Sequence, residues 1–127
     1  MTQEDKQLLL KDICARLPYG VKILDMPANA VGNLFLVSAT DTVEYEPVDE
    51  TNNDTGRQTL YNIKPYLHPM SSMTEEEKKE CLKITFVEAT DWLNVHHFDY
   101  RGLIEKGLAL EAPAGMYENI TIIGENY

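Results

Sequence analysis

The sequence predicts an α+β domain in which helices cover a small, twisted antiparallel sheet. Apolar residues recur at helical spacing near the N-terminus and again after residue 74, whereas runs of β-branched and aromatic residues dominate positions 21–63. A chain of 127 residues, 43% of them hydrophobic, can bury one core. We therefore expect a single domain, 1–127, with a sheet of three to five strands that can curl in an SH3-like way.

The first predicted helix covers residues 3–17. Thr2 is expected to cap it, with Asp5 three positions later in a weaker form of the capping box. Apolar side chains at i, i+3, i+4 and i+7 predict one buried stripe, which consists of Leu10, Ile13, Cys14 and Leu17, widened by Leu9. Pro18 and Gly20 are expected to end the helix.

Residues 21–63 form the predicted strand region. Four short strands are expected, at 21–24, 33–38, 42–45 and 60–63. In the third strand, alternation predicts that Val43 and Tyr45 face inward and that Glu44 and Glu46 face solvent. The polar segment 49–56 has the composition of a turn or a loop.

The segment 64–73 is predicted to be an irregular linker, because its prolines recur four residues apart and restrict the residues before them. A helical region, 74–106, follows, and Thr74 with Glu77 forms a capping box at its start. A break is expected before Thr90.

Hydrophobic periodicity predicts the secondary structure less clearly in two parts of the C-terminal half. Residues 83–89 fit either a helix or a strand, because Leu82, Phe86, Ala89 and Leu93 fit one helical stripe. The tail, 107–127, contains a predicted short strand at 120–123.

The stretch from Ala89 to Tyr117 contains the one tryptophan and two of the three histidines. Thr90 or Asp91 is expected to cap one short helix, and Asp99 to cap a second one. Helices this short are not stable alone, so they must pack against the sheet. The strongest core candidates are therefore Trp92, Leu93, Phe98, Leu103, Ile104, Leu108 and Leu110.

Net charge limits the partners of the chain. With 21 acidic and 11 basic residues it carries −10, which repels phosphate backbones and anionic membranes. We therefore expect no direct nucleic-acid binding and no membrane binding.

The sequence shows no signal peptide and no long apolar run, so we expect a cytoplasmic protein in which Cys14 and Cys81 are reduced, buried thiols.

The acidic residues concentrate in the middle of the chain, where 26–64 contains six acids and two bases. They could form a negative surface that imitates a phosphate backbone, or simply a solvated face that maintains solubility. Aromatic and arginine side chains also favour interfaces. The candidate interaction surface is Asp41, Glu44, Glu46, Asp49, Glu50, Asp54, Tyr100 and Arg101.

The only cluster of residue types that typically bind metals consists of His96, His97, Asp99 and Glu105, and the weak metal candidates among them are His96, His97 and Asp99. Adjacent helical residues point about 100° apart, and the sequence contains no HExxH or CxxC spacing. We therefore assign no catalytic residue, cofactor or metal. One histidine is expected to pack beside Trp92 and the other to cap a helix C-terminus.

The chain also resembles a known family. The resemblance is carried by an N-terminal helix ending in LPYG and by two strings, KPYLHPMSSMTEEEKKE (Lys64–Glu80) and DWLNVHHFDYRGLIEKGLALEAPAGMY (Asp91–Tyr117). The family comprises small uncharacterised proteins encoded by gut Bacteroidetes and their phages or mobile elements. The resemblance implies a bacterial cytoplasm and a mobile-element setting, and it implies no activity.

These observations favour a non-enzymatic, acidic protein-interaction module, an accessory protein of a phage or mobile element. The first alternative is a small metal-dependent hydrolase that uses His96, His97 and Asp99. The second is a structural or oligomerising protein. An unknown protein partner is expected, and the oligomeric state does not follow from the sequence.

Overall fold

The computed structural model describes residues 1–48 and 55–117, and these form an α+β fold. The helices are α1 (Gln3–Arg16), α2 (Glu75–Leu82) and α3 (Phe86–Val95). The strands are β1 (Lys22–Asp25), β2 (Ala30–Val37), β3 (Thr42–Pro47), β4 (Gly56–Thr59), β5 (Ile63–Pro69), β6 (Phe98–Asp99) and β7 (Leu110–Glu111). Short 3-10 turns occupy Leu17–Tyr19, Leu60–Asn62 and Met70–Ser72.

The strands form one mixed sheet with the spatial order β4-β3-β2-β1-β5-β6, and β7 also pairs with β5. The first four strands make an antiparallel meander, and β5 lies antiparallel to β1. The expected antiparallel sheet is thus extended by β6 and β7, which run parallel to β5. The SH3-like curl stays a prediction.

Helix α1 begins where the capping box predicts. Thr2 Oγ1 accepts from the Asp5 backbone N–H at 3.0 Å, and Asp5 accepts in return from the Thr2 N–H. The predicted stripe is wrong by about one residue, since the buried face consists of Leu9, Asp12, Ile13 and Arg16. The helix turns Asp12 and Arg16 into the interior, where Arg16 Nε donates to Asp12 at 2.9 Å, and a pattern of apolar residues does not show such a buried pair.

The core lies between α1 and one face of the sheet, and it also includes Leu103, Leu108 and Ala109 from the turns after β6. Val43 and Tyr45 face inward on β3, as alternation predicts, whereas Glu46 is exposed and Glu44 is half-exposed. The Tyr45 ring lies where a Cβ on Gly32 or Gly56 would be, 2.2 Å from its nearest ring atom in each case. The two glycines therefore make room for a buried tyrosine.

The predicted linker 64–73 is wrong in its first half, because β5 covers Ile63–Pro69. A proline excludes the helical region for the residue before it and favours extended backbone, so two prolines four apart are compatible with a strand. The expected strand at 60–63 is correspondingly a 3-10 turn that leads into β5, and β4 lies earlier, at Gly56–Thr59.

The predicted helical region 74–106 contains two helices and then turns. Thr74 and Glu77 form the expected capping box. The break lies at 83–85 instead of before Thr90, since Thr85 caps α3 by accepting from the Glu88 N–H at 3.2 Å. Residues 86–89 are thus helical, and Thr90 and Asp91 lie inside α3.

The second short helix, expected to open at Asp99, is absent from the described residues 100–106, which form turns. Asp99 does act as a cap, because its carboxylate accepts from the N–H groups of Leu103 and Ile104, each at 2.9 Å. Gly102 has φ of +76°, and this left-handed residue interrupts helical backbone. Gly107 is also left-handed, at +73°.

Of the core candidates in the C-terminal half, Phe98, Leu103 and Leu108 are buried. The others are half-buried, namely Trp92, Leu93, Ile104 and Leu110. The strand expected at 120–123 and most of the polar segment 49–56 lie outside the described residues. None of the helices in the described part of the chain is long and apolar enough to cross a membrane.

Candidate functional site

The three weak metal candidates do not form a ligand set. The His96 ring lies against Trp92, with ring centroids 4.2 Å apart, which confirms the histidine expected beside Trp92. Both carboxylate oxygens of Asp99 are occupied by backbone N–H groups. Across residues 1–48 and 55–117, no group of three or more His, Cys, Asp or Glu side chains is placed to hold a metal ion.

The histidine that does not pack beside Trp92 was expected to cap a helix C-terminus. His97 does follow the end of α3 with a left-handed backbone, φ +61°, but its side chain makes no capping hydrogen bond within residues 1–48 and 55–117. Its side chain is 1% exposed and stacks on Tyr117, with ring centroids 3.8 Å apart. Neither ring nitrogen has a hydrogen-bond partner among the described residues. Burial, together with the nearby positive charge of Arg16, lowers the pKa of His97 from 6.5 to about 3. The neutral ring therefore serves as a packing element.

Tyr117, which stacks on His97, also makes hydrogen bonds to two strands of the sheet. Its hydroxyl accepts from the Lys22 backbone N–H at 2.9 Å and donates to the Tyr66 carbonyl at 2.8 Å, so it bridges β1 and β5. Burial raises the pKa of the Tyr117 hydroxyl. Lys22 also lies over the ring, 5.2 Å from its centroid. Tyr117 is thus fully occupied by structural contacts.

A buried ion cluster joins α1 to the turn after β6. Arg16 donates from Nε to Asp12 at 2.9 Å and from Nη2 to the Phe98 carbonyl at 2.6 Å. Arg101 donates to the other oxygen of Asp12 at 2.8 Å. The side chains of Asp12 and Arg16 are fully buried. One carboxylate therefore balances two guanidinium groups inside the fold.

Tyr100 and Arg101, proposed as surface residues, belong to this cluster. The Tyr100 ring centroid lies 4.5 Å from the Arg101 guanidinium carbon and 5.5 Å from that of Arg16. The Tyr100 hydroxyl donates to Asn94 at 3.1 Å. Because the contacts of both side chains are internal, neither is a free interaction residue.

In the predicted acidic interaction surface, two of the carboxylates lie beside basic side chains of the same chain. Asp41 forms an ion pair with Lys6, and Glu44 lies 3.7 Å from Arg57. Glu46 is exposed on β3. Three further members of the predicted surface, Asp49, Glu50 and Asp54, lie outside the described residues.

The cysteines are less buried than expected. Both lie in the described part of the chain and are free thiols, Cys14 exposed and Cys81 half-buried. The buried-thiol prediction is wrong for Cys14 because α1 turns Asp12 and Arg16 inward in its place. Cys14 lines an open groove of about 370 Å³ between α1 and the turn after β2.

Among residues 1–48 and 55–117, the most exposed large apolar side chains lie where α2 meets α3. We call it the α2–α3 knuckle and define it as Leu82, Phe86 and Val87, which are 84%, 87% and 69% exposed. Most residues of α2 are exposed, and only Glu77 and Cys81 are half-buried. The knuckle does not follow from the sequence analysis, which left residues 83–89 open between a helix and a strand and expected no helix start between Leu82 and Phe86.

A signal for the knuckle was present in the sequence. Thr85 and Glu88 have the spacing of a capping box, which marks a helix start between Leu82 and Phe86. In the structure Thr85 also donates to the Glu88 carboxylate at 2.9 Å. The new helix start interrupts the apolar stripe, so Leu82 at the end of α2 and Phe86 at the start of α3 are both exposed.

No protein-family model matches the chain, and neither a curated protein nor a solved structure matches it. Function is therefore inferred from the geometry of the described residues.

Proposed function

We propose that this protein is a non-enzymatic protein-interaction module whose contact surface is the α2–α3 knuckle. The observation that carries the proposal is the exposure of Leu82, Phe86 and Val87, each more than two-thirds exposed. Together they present roughly 400–500 Å² of apolar surface, about the size of the largest patch on an ordinary monomer, which is often functional.

The small number of contacts between α2 and the rest of the domain also supports the knuckle as the contact surface. An isolated helix of 8 residues is marginal in water even with a good cap. Since α2 is mostly exposed, packing against the domain adds little to its stability. A partner that covers the knuckle would supply the missing contacts.

The histidines do not favour the hydrolase alternative. His97 is enclosed and neutral, His96 packs on Trp92, and Asp99 caps a turn. An active site needs an accessible nucleophile or metal next to a base, and these three side chains are used in packing and capping.

We place the protein in a bacterial cytoplasm, as an accessory protein of a phage or mobile element. The resemblance of Lys64–Glu80 and Asp91–Tyr117 to the Bacteroidetes family supports this setting. The two free thiols, Cys14 and Cys81, suit a reducing compartment. The net charge of −10 favours a protein partner over a nucleic acid.

The test is affinity capture from a Bacteroides lysate at low salt with three baits. The wild type and the Val48→Glu variant are expected to retain the same discrete protein, and Phe86→Glu to retain at least tenfold less. A charge placed at the centre of an apolar contact costs more than the ~1.4 kcal/mol that corresponds to tenfold.

Val48 is the matched control, because it is an apolar residue with 47% exposure outside the knuckle. Circular dichroism checks that all three baits are folded. Equal capture by wild type and Phe86→Glu, or no specific capture by the wild type, would exclude the knuckle as the contact surface.

A further inference from the structure

We propose that residues 113–117 form an acid-sensitive latch, in which protonation of His97 detaches Tyr117 from the sheet while the rest of the domain stays folded. We call residues 113–117 the Tyr117 arm. The proposal goes beyond the α2–α3 knuckle and does not depend on it. It rests on the attachment of the arm, on the partners of the His97 ring and on the charges around that ring.

The Tyr117 arm is attached to the domain by one side chain. Residues 113–115 are exposed and Met116 is half-buried, whereas Tyr117 is 7% exposed. Within the described part of the chain, the backbone hydrogen bond of the arm is internal, from the Met116 N–H to the Pro113 carbonyl at 3.2 Å. Tyr117 also lies outside the main hydrophobic core cluster. A segment held in this way can open while the core stays folded.

The single attachment of the arm also covers His97. The Tyr117 hydroxyl joins the Lys22 N–H to the Tyr66 carbonyl, and its ring stacks on the His97 ring with an interplanar angle of 24°. Movement of the arm therefore removes the ring that covers one face of His97 and lets water reach it. The same movement frees the Lys22 N–H and the Tyr66 carbonyl.

The groups around His97 oppose a positive charge on its ring. Besides burial, four groups on different elements lower its pKa, namely Arg16 on α1, Lys22 on β1, His68 on β5 and His96 at the end of α3. The Tyr117 hydroxyl stays uncharged, because burial raises its pKa. No element that packs against the ring thus brings a negative charge to it among the groups that shift its pKa.

The acids of this region are directed at other groups. The two oxygens of Asp12 accept from Arg16 and Arg101, and those of Asp99 accept from backbone N–H groups. The other acids with a resolved effect here act on His68 and His96, and they are Glu77 and Glu80 on α2 and Glu111 on β7. A proton on His97 is therefore left without a counter-charge.

Hydrogen bonding does not favour the protonated ring either. Protonation makes both ring nitrogens donors, and across residues 1–48 and 55–117 neither nitrogen of His97 has a partner. A buried charge without a counter-charge or a hydrogen bond is costly, and contact with water relieves the cost. Since the arm is held by Tyr117 alone, its movement gives the ring this contact without unfolding the core.

The sign and size of the effect follow from the two protonation equilibria. With the arm closed the pKa of His97 is about 3, and with the ring in water it returns to near 6.5. Between these values the open state binds more protons, so opening becomes more favourable as pH falls. From pH 7 to pH 4 the equilibrium constant for opening is expected to rise about 300-fold.

Hydrogen exchange of two backbone amides tests the latch. The Lys22 N–H reports on the arm because it donates to the Tyr117 hydroxyl, whereas the Ile13 N–H lies on the buried face of α1. From pH 7 to pH 4 the protection factor of Lys22 is expected to fall about 300-fold, and at pH 4 that of Ile13 to stay at least about 100-fold higher. Equal protection of the two amides at pH 4 overturns the proposal, because the arm then opens only when the whole domain unfolds.

Variants without a titrating ring at position 97 show whether His97 drives the opening. In His97→Phe the protection of Lys22 is expected to change less than about tenfold over the same pH range, whereas His96→Phe should keep most of the fall. His97→Asn is a second variant, since asparagine readily adopts the left-handed backbone of this position, φ +61°. Circular dichroism checks that each variant is folded. A fall as large as that of the wild type in a folded variant at position 97 overturns the proposal.

Discussion

Replacing Asp12 with asparagine is expected to lower the free energy of unfolding by about 3–5 kcal/mol. The substitution keeps the side-chain volume and removes the charge that balances Arg16 and Arg101. Arg16 is fully buried, so its guanidinium would remain in the interior without a counter-charge. The asparagine amide would also point a donor at one of the two arginines, which themselves only donate.

Urea denaturation followed by the fluorescence of Trp92 measures this effect. Glu4→Gln is the control on the same helix, because Glu4 is exposed and its loss should change stability by less than about 0.5 kcal/mol. A loss below about 1 kcal/mol for Asp12→Asn would show that the buried cluster is not a main tie between α1 and the turn after β6.

Acidification from pH 7 to pH 4 is expected to cost about 3 kcal/mol of stability through His97 alone. In the folded protein burial lowers the pKa of His97 to about 3, whereas the unfolded chain binds the proton with a pKa near 6.5. Between these values the unfolded state binds more protons, so stability falls as pH falls through this window. Above about pH 7 the contribution of His97 is constant.

The matched variants are His97→Phe and His96→Phe. Phenylalanine at 97 keeps an aromatic ring against Tyr117 and removes the titration, so most of the pH dependence between 7 and 4 should disappear. His96 is only half-buried against Trp92, and its replacement should preserve most of that dependence. An unchanged pH profile in His97→Phe would show that the His97 ring reaches water.

Local signals allowed much of the fold to be predicted. The starts of α1 and α2 follow from Thr2 with Asp5 and from Thr74 with Glu77, because a capping box involves only neighbouring residues. The inward direction of Val43 and Tyr45 follows from strand alternation. These features depend on positions a few residues apart, which the sequence displays directly.

The interior of the fold could not be predicted in the same way. Arg101 reaches Asp12 across 89 positions, and no local pattern brings the two together. The Asp12–Arg16 pair at i, i+4 looks like an ordinary surface pair until the helix is seen to bury it. The enclosure of His97 likewise depends on Tyr117, twenty residues further on and outside any local motif.

The candidate site was missed for a different reason. The spacing of Thr85 and Glu88 is visible in the sequence, but the apolar residues around it fit either a continuous helical stripe or a strand, so residues 83–89 stayed open. Periodicity predicts which residues share a helix face only if the helix is continuous. Here it is broken, and the break creates the exposed surface.

Photo-cross-linking from position 86 tests the central claim most directly. Benzoyl-phenylalanine in place of Phe86 is expected, on irradiation in the host cell, to give a discrete adduct with a second copy or with another protein. The same group in place of Phe35, an exposed phenylalanine on β2, is expected to give none. Absence of an adduct from position 86, or equal adducts from both positions, would contradict the assignment of the knuckle as the contact surface.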